Sequence, residues 1–452
     1  MAGAAHRLRD DRMSRALGQV ALASFVVCMV TGVVLMYFYD RSTRPVTYDG
    51  SYTPLQGATM SRALESTIDL SFEVRGGLLL RQLHHWSASF LIAALMLQIL
   101  RVFFIGAFGS RRRITWLLLW GLLLTTMGAG FTGLILPDDM VSGSSLAVMD
   151  GVLRSVPVVG TDLSDLVFRG EFPSGSIALF YPLHVIVLPL VMLTVVAALV
   201  WRVRRPLTAR VSLRHSMIRS LAGAGPLVVI AGVLTLIAAT VTVNPVWTYG
   251  PADPGNASAG AGATWYLAFL DGAQRLVPPG WEVVWLDRTW TFAILVPVGV
   301  STLFLGAAMA YPFVERRVIG TRQDARAFAR PRTTPTRTGL GAAGITFYGV
   351  LWAAAGSDTM ALQLGLGVEG VIHTLQVALV AGPPLAYEIT RRICLGLHSI
   401  DRDIALHGRE TGRIIRTPEG GFHEVRRPVT AAERERLLDA PADDVREELP
   451  AP

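Results

Sequence analysis

The chain has 452 residues, 51% of them hydrophobic, and a mean hydropathy of +0.44, which excludes an ordinary soluble domain. Its net charge of +7 comes from arginines spread between apolar runs, so it reads as a membrane-topology signal, and nucleic acid is not an expected partner. Two cysteines, Cys28 and Cys394, exclude a disulfide framework or a thiolate metal cluster, and the sequence holds no P-loop, HExxH or CxxC motif.

Apolar runs of the length needed to cross a bilayer, about 20 residues each, fall near 16–38, 78–105, 114–136, 178–201, 223–243, 291–313, 340–356 and 369–391. They predict an all-α polytopic membrane protein with eight transmembrane helices. The first run is too long for a signal peptide and lacks a small-residue cleavage site, so it reads as the first span. Arginines crowd the N-terminal stretch (Arg7, Arg9, Arg12, Arg15) and the loops 106–113, 202–222 and 314–339. The alternate connections carry acids instead, among them Asp138, Asp139, Asp150, Asp162 and Asp165. Arginine marks the cytoplasmic side, so both termini are expected in the cytoplasm and the chain in the plasma membrane. The charged stretch from about 396 to 452 is expected to be a cytoplasmic extension, partly disordered after about 428.

Two histidines stand out against this background. His84, in RQLHHWSASF, and His184, in FYPLHVIVLP, each lie a short way into spans two and four from the outer side. Polar groups inside membrane helices are costly and usually functional, and two level imidazoles on facing helices suit the two axial positions of a low-spin b-type haem. The blander alternative is a pair of interfacial histidines bonded to their neighbours. His85 faces about 100° away from His84 and reads as structural. Glycine permits close approach, and Gly32 in span one and Gly133 in span three fall at the level of the histidines, with Gly18 fourteen residues before Gly32. Arg81, three residues before His84, is placed to meet a haem propionate.

Fourteen residues along a helix is about 3.9 turns and about 21 Å, so a second, inner haem would need histidines at that offset. The chain has Gln98 on one helix and Ala198 or Leu199 on the other, with Leu119 where an inner glycine would stand. One haem site is therefore expected, on the outer side, and the inner one is expected to be absent.

Several segments, in order, resemble the cytochrome b subunit of bc-type quinol:cytochrome c reductases, specifically the actinobacterial branch. They include YDGSYTPLQG (48–57), SFEVRGGLLLRQLHHW (71–86), LPDD (136–139), GEFP (170–173), NPVW (244–247), WYLAFLDGAQRL (265–276), YPFVERR (311–317), GPPLAYEITRRICLGL (382–397) and HGRETG (407–412). The resemblance implies an N-terminal haem-binding four-helix part over 1–221, a C-terminal four-helix quinone-site part over 222–394 and an extension over 395–452. It also implies Rieske iron–sulfur and cytochrome c subunits, a homodimer, and menaquinol or menaquinone as substrate.

This sequence departs from the family at the inner-haem ligands and at the quinol pocket. Where the family carries a Pro-acid-Trp-Tyr motif, the chain reads Ala263, Thr264, Trp265, Tyr266. A threonine is no base near neutral pH, which leaves Thr264, Trp265 and Tyr266 as pocket candidates without the acid. The expected function is a cytochrome b subunit with only the outer haem and impaired turnover. The alternative is a non-catalytic single-haem paralogue acting as scaffold, assembly factor or quinone redox sensor.

Overall fold

A computed structural model describes residues 12–109, 112–169, 176–204, 224–253, 264–319 and 330–438. Arg7, Arg9, Arg111, the arginine-rich segment 205–223, the GEFP segment and Ala263 lie outside the described residues.

In chain order, α1 (Arg12–Leu35) leads into a short antiparallel pair, β1 (Pro45–Thr47) and β2 (Thr59–Ser61). Then come α2 (Arg62–Phe72), α3 (Gly77–Phe104) and α4 (Arg113–Ile135). Asp139 caps α5 (Met140–Arg154) by accepting from the Ser142 amide, and α6 (Gly160–Phe168) follows. The fourth predicted span is α7 (Ile177–Pro182), a π-helical turn (Leu183–Val187) and α8 (Leu188–Arg204). Next are α9 (Ala224–Thr240), α10 (Ala268–Arg275), the hairpin β3 (Glu282–Trp285) and β4 (Arg288–Thr291), and α11 (Phe292–Ile319). The chain ends with α12 (Pro335–Ala354), α13 (Ser357–Leu364), α14 (Val368–His407), the hairpin β5 (Arg409–Arg416) and β6 (Phe422–Arg427), and α15 (Ala431–Leu438).

Long uniformly apolar segments become helices because only a helix satisfies its own backbone away from water. Among the described residues five helical units are long and apolar enough to cross a membrane: α1, α3, α4, α7–α8 and α11. A sixth follows if α12 and α13, bent by 70° at Gly356, count as one broken span. The remaining two predicted spans take other forms. The fifth is the shorter apolar helix α9, and the eighth continues without a break into the 40-residue α14, across the expected boundary at 394.

The expected disorder after about 428 is corrected as far as residue 438. Arg409 Nη2 lies 2.7 Å from Glu433 and ties α15 to β5, while Arg426 pairs with Asp403 and Glu410 at 2.8 Å each. These partners are far apart in sequence, so composition alone reads the segment as solvated charge.

Helix α1 packs along α3, α4 along α8, and α3 against α4, which makes a bundle with α9 on its flank. Its main apolar cluster runs from Leu91, Ile92, Leu95 and Ile99 on α3 to Trp116, Trp120 and Leu123 on α4 and Met192 on α8. A buried ion pair joins the later helices: Arg337 on α12 reaches Glu315 on α11 at 2.8 Å, with only 2% and 4% of the two side chains exposed.

Candidate functional site

His84 stands in the second turn of α3 and turns its ring toward α1. Its Nδ1 lies 3.0 Å from the Cys28 carbonyl and 3.0 Å from Thr31 Oγ1. A carbonyl oxygen only accepts, so Nδ1 carries the hydrogen and Nε2 keeps its lone pair. The Thr31 hydroxyl has its own acceptors, Val27 O at 2.7 Å and Cys28 O at 3.1 Å, and so presents a lone pair to the histidine. The Cys28 thiol completes the cradle, 3.7 Å from Nδ1 and within reach of the His84 carbonyl at 3.9 Å.

His184 repeats the arrangement from the other side. Its Nδ1 lies 2.9 Å from the Ala129 carbonyl and 3.1 Å from Thr132 Oγ1, both on α4. The same reasoning fixes the same tautomer. His184 sits in the π-helical turn at 183–187, between Pro182 and Pro189, two residues that cannot donate an i→i−4 bond. Such turns re-aim a side chain without ending the helix, and this one carries the histidine.

The two imidazoles lie 6.2 Å apart, centre to centre, with planes inclined by 73°. Two iron–nitrogen bonds of about 2 Å, with each ring centre a further ~1 Å behind its nitrogen, would separate axial imidazoles by about 6 Å. The free Nε2 atoms and the spacing together fit one iron between the rings.

The glycines have closer neighbours than the sequence suggested. A Cβ on Gly133 would stand 2.6 Å from His184 Cε1, and one on Gly32 3.0 Å from His84 Cε1, so both make room for the imidazoles themselves. Among the described residues a Cβ on Gly18 would meet nothing within 4 Å. Reading the sequence missed Thr31, Thr132 and the two carbonyls. The signal was nonetheless present: Cys28-Met-Val-Thr31-Gly32 and Ala129-Gly-Phe-Thr132-Gly133 place carbonyl, threonine and glycine at identical offsets.

Arg81 Nη2 donates to Asn244 O at 2.6 Å, while its Nη1 is buried with no hydrogen-bond partner among the described residues. Its neighbours grip the residues just before the NPVW segment. Gln82 exchanges two bonds with Val243, at 3.0 and 2.8 Å, and Trp86 donates to Val241 O at 2.8 Å. One face of the RQLHHW turn therefore fixes the chain after α9, and the other carries His84.

Residues 89–251 match the family model described as cytochrome b(N-terminal)/b6/petB. The chain is 39% identical over 94% of its length to the cytochrome bc1 complex cytochrome b subunit of Streptomyces coelicolor, covering 80% of that protein. The same subunit of Corynebacterium diphtheriae is 39% identical over 91% of this chain and 78% of its own. That of Mycobacterium tuberculosis is 39% identical over 91% and 77%. The chain belongs to the cytochrome b subunits of the cytochrome bc1 complex. A solved chain described as a hyperthermophilic respiratory Complex III matches with a TM-score of 0.61, over 85% of this chain and 92% of the other, and at 17% identity it shows the common fold. Membership implies b-type haem, electron transport within a larger multi-subunit complex, and a multi-pass place in the membrane.

At the level where a cytochrome b would hold a second haem, apolar side chains from three helices meet. Leu119 of α4 and Leu199, Val195 and Val196 of α8 pack against the cluster formed by Leu95, Ile99, Trp120 and Met192. Of the two candidates on the fourth span, Leu199 is the one in that cluster. Gln98 Oε1 and Trp120 Nε1 are buried there without a hydrogen-bond partner among the described residues. An amide oxygen and two aliphatic chains supply no good iron ligand, so the residues at this level do not fit an inner haem.

The three quinol-pocket candidates separate. Tyr266 is 4% exposed, and its hydroxyl lies against Gly130 of α4. Burial pushes this phenol up to about 12, so it remains a hydrogen-bond donor at neutral pH. Thr264 Oγ1 is buried beside the Tyr266 phenol. Trp265 is partly exposed, and its carbonyl accepts from Trp352 Nε1 at 3.0 Å.

Proposed function

We propose that this cytochrome b subunit carries one b-type haem, on the outer side, with His84 and His184 as the axial ligands. It works within a bc1-type quinol:cytochrome c reductase with altered and weak turnover. The observation that carries the reading is the pair of tautomer-fixed imidazoles 6.2 Å apart. When bound, the haem supplies one-electron transfer. The chain's own groups orient the ligands through Cys28 O, Thr31, Ala129 O and Thr132, a carbonyl support that raises ligand basicity. Gly32 and Gly133 leave the space, and Arg81 offers its remaining N–H groups to a propionate. The rest of the assembly follows the family. It has eight spans with both termini cytoplasmic in the plasma membrane, divided into parts 1–221, 222–394 and 395–452. It forms a homodimer, with Rieske iron–sulfur and cytochrome c subunits beside it and menaquinol as the substrate.

The quinol pocket keeps Trp265 and Tyr266 but not the acid. Tyr266 can donate to a quinone oxygen, and Thr264 can exchange a hydrogen bond with it, yet neither accepts a proton at neutral pH. Gln98, Leu119 and Leu199 do not fit an inner haem. These two features favour a second reading, a non-catalytic single-haem paralogue serving as scaffold, assembly factor or quinone redox sensor. An equilibrium redox titration of the b-type absorbance in the purified complex tests the proposal. One single-electron wave is expected, and two resolved waves would overturn it.

A further inference from the structure

At the end of the bundle away from the two histidines, a cavity of about 470 Å³ opens between the start of α4 and the last turns of α11. Its lining is Arg113, Ala310, Phe313, Val314, Arg316 and Arg317. The lining is built by two helices held in register. Trp116, one turn into α4, donates its indole N–H to the Met309 carbonyl on α11 at 3.0 Å, and the Arg113 guanidinium lies 5.5 Å from the centre of the Phe313 ring. Among the described residues three cationic side chains line the cavity and no acidic one does. The acid nearest in sequence, Glu315, turns the other way into its buried pair with Arg337, and the first turn of α4 holds no acid.

The walls are as informative as the charges. Phe313 and Val314 are 40% and 56% exposed on a helix that is long and apolar enough to span a membrane. A soluble anion needs the arginines but has no use for this apolar flank. A phospholipid uses both, with its phosphate against the guanidiniums and its acyl chains along Phe313 and Val314. We propose that this cavity binds the headgroup phosphate of an anionic membrane phospholipid, with Arg316 and Arg317 as its principal contacts and Arg113 beside them.

The test uses the purified complex stripped of lipid in neutral detergent and titrated with phosphatidylglycerol, phosphatidylcholine or inorganic phosphate, with bound ligand read by native mass spectrometry. Phosphatidylglycerol should bind and phosphatidylcholine should bind at least tenfold more weakly. Each surface cation near a lipid headgroup is worth about a fivefold factor in affinity, so Arg316→Gln with Arg317→Gln should weaken phosphatidylglycerol about 30-fold. Arg391→Gln with Arg392→Gln removes the same charge elsewhere, from residues already paired with Glu388, and should change nothing. Should the cavity double variant fail to assemble, Arg317→Gln alone carries the test, with about fivefold weakening. Equal weakening by both double variants, equal affinity for the two lipids, or phosphate binding as tightly as phosphatidylglycerol would each overturn the assignment.

Discussion

The hydroxyl of Tyr266 lies so close to Gly130 that a side-chain carbon on that glycine would collide with it. Gly130 directly follows Ala129, whose carbonyl holds His184 Nδ1 at 2.9 Å. The candidate quinol tyrosine and the candidate haem histidine thus rest on consecutive residues of one turn of α4. Gly130→Ala must push Tyr266 outward, an overpacking change that costs about 1–3 kcal/mol. It should alter the binding of a quinol analogue and leave the b-type spectrum in place, which a combined binding and absorbance measurement checks.

Replacement of the histidines gives the plainest spectral outcome. His84→Ala and His184→Ala should each abolish the reduced-state b-type absorbance, because a single imidazole cannot hold the low-spin iron. His85→Ala should retain it. Reduced-minus-oxidised difference spectra on purified protein read all three.

The glycines give a ranking. A Cβ would be 2.6 Å from His184 Cε1 at Gly133, 3.0 Å from His84 Cε1 at Gly32, and clear of every described residue within 4 Å at Gly18. Haem content should therefore fall most in Gly133→Ala, less in Gly32→Ala and not at all in Gly18→Ala. A loss in Gly18→Ala equal to that in Gly133→Ala would mean that helix propensity, not contact, decides the outcome.

Thr31 and Thr132 orient the imidazoles and touch no iron. Loss of such an outer partner usually costs about 10–100-fold in metal affinity. Thr31→Val and Thr132→Val should each weaken haem retention, near the lower end of that range, because the Cys28 and Ala129 carbonyls remain. The measurement is haem transfer to apomyoglobin, with unchanged rates counting against the tautomer argument.

The buried pair of Arg337 and Glu315 makes a prediction about stability alone. Breaking a buried pair by removing one partner costs about 3–5 kcal/mol, whereas replacing both with apolar groups can be close to neutral. Arg337→Leu should lower the thermal unfolding midpoint in detergent sharply, and Arg337→Leu with Glu315→Leu should recover most of the loss.

Much of this was legible in the sequence. The helical runs, the facing placement of His84 and His184 and the shared level of Leu119 and Leu199 follow from spacing, because the helical repeat turns a sequence offset into a height and a direction. Three features were not. The π-helical turn around His184 depends on how Pro182 and Pro189 are accommodated by neighbours. The Thr31 and Thr132 contacts arise between helices, where a lone threonine in an apolar run gives no direction. The hairpin and helix over 409–438 are held by ion pairs such as Arg409–Glu433, whose partners no local pattern links.

The proposed weak turnover rests on two separate features, the threonine at 264 and the residues at the inner level. A missing base alone often costs about 10²–10⁴-fold and can leave measurable turnover. On the proposed single-haem reading, with Gln98 and Leu199 at the inner level, the second electron of each quinol has no route across the membrane. Thr264→Glu should therefore fail to restore inhibitor-sensitive quinol:cytochrome c reduction. A large rescue by that single change would show that proton transfer was the only fault.

The haem count of the purified complex bears most directly on the account. A pyridine haemochrome assay, referred to the amount of this chain, should return one b-type haem per chain, and none in His184→Ala. Two per chain would contradict the single-site reading and place a second haem at the level where Gln98, Leu119 and Leu199 stand.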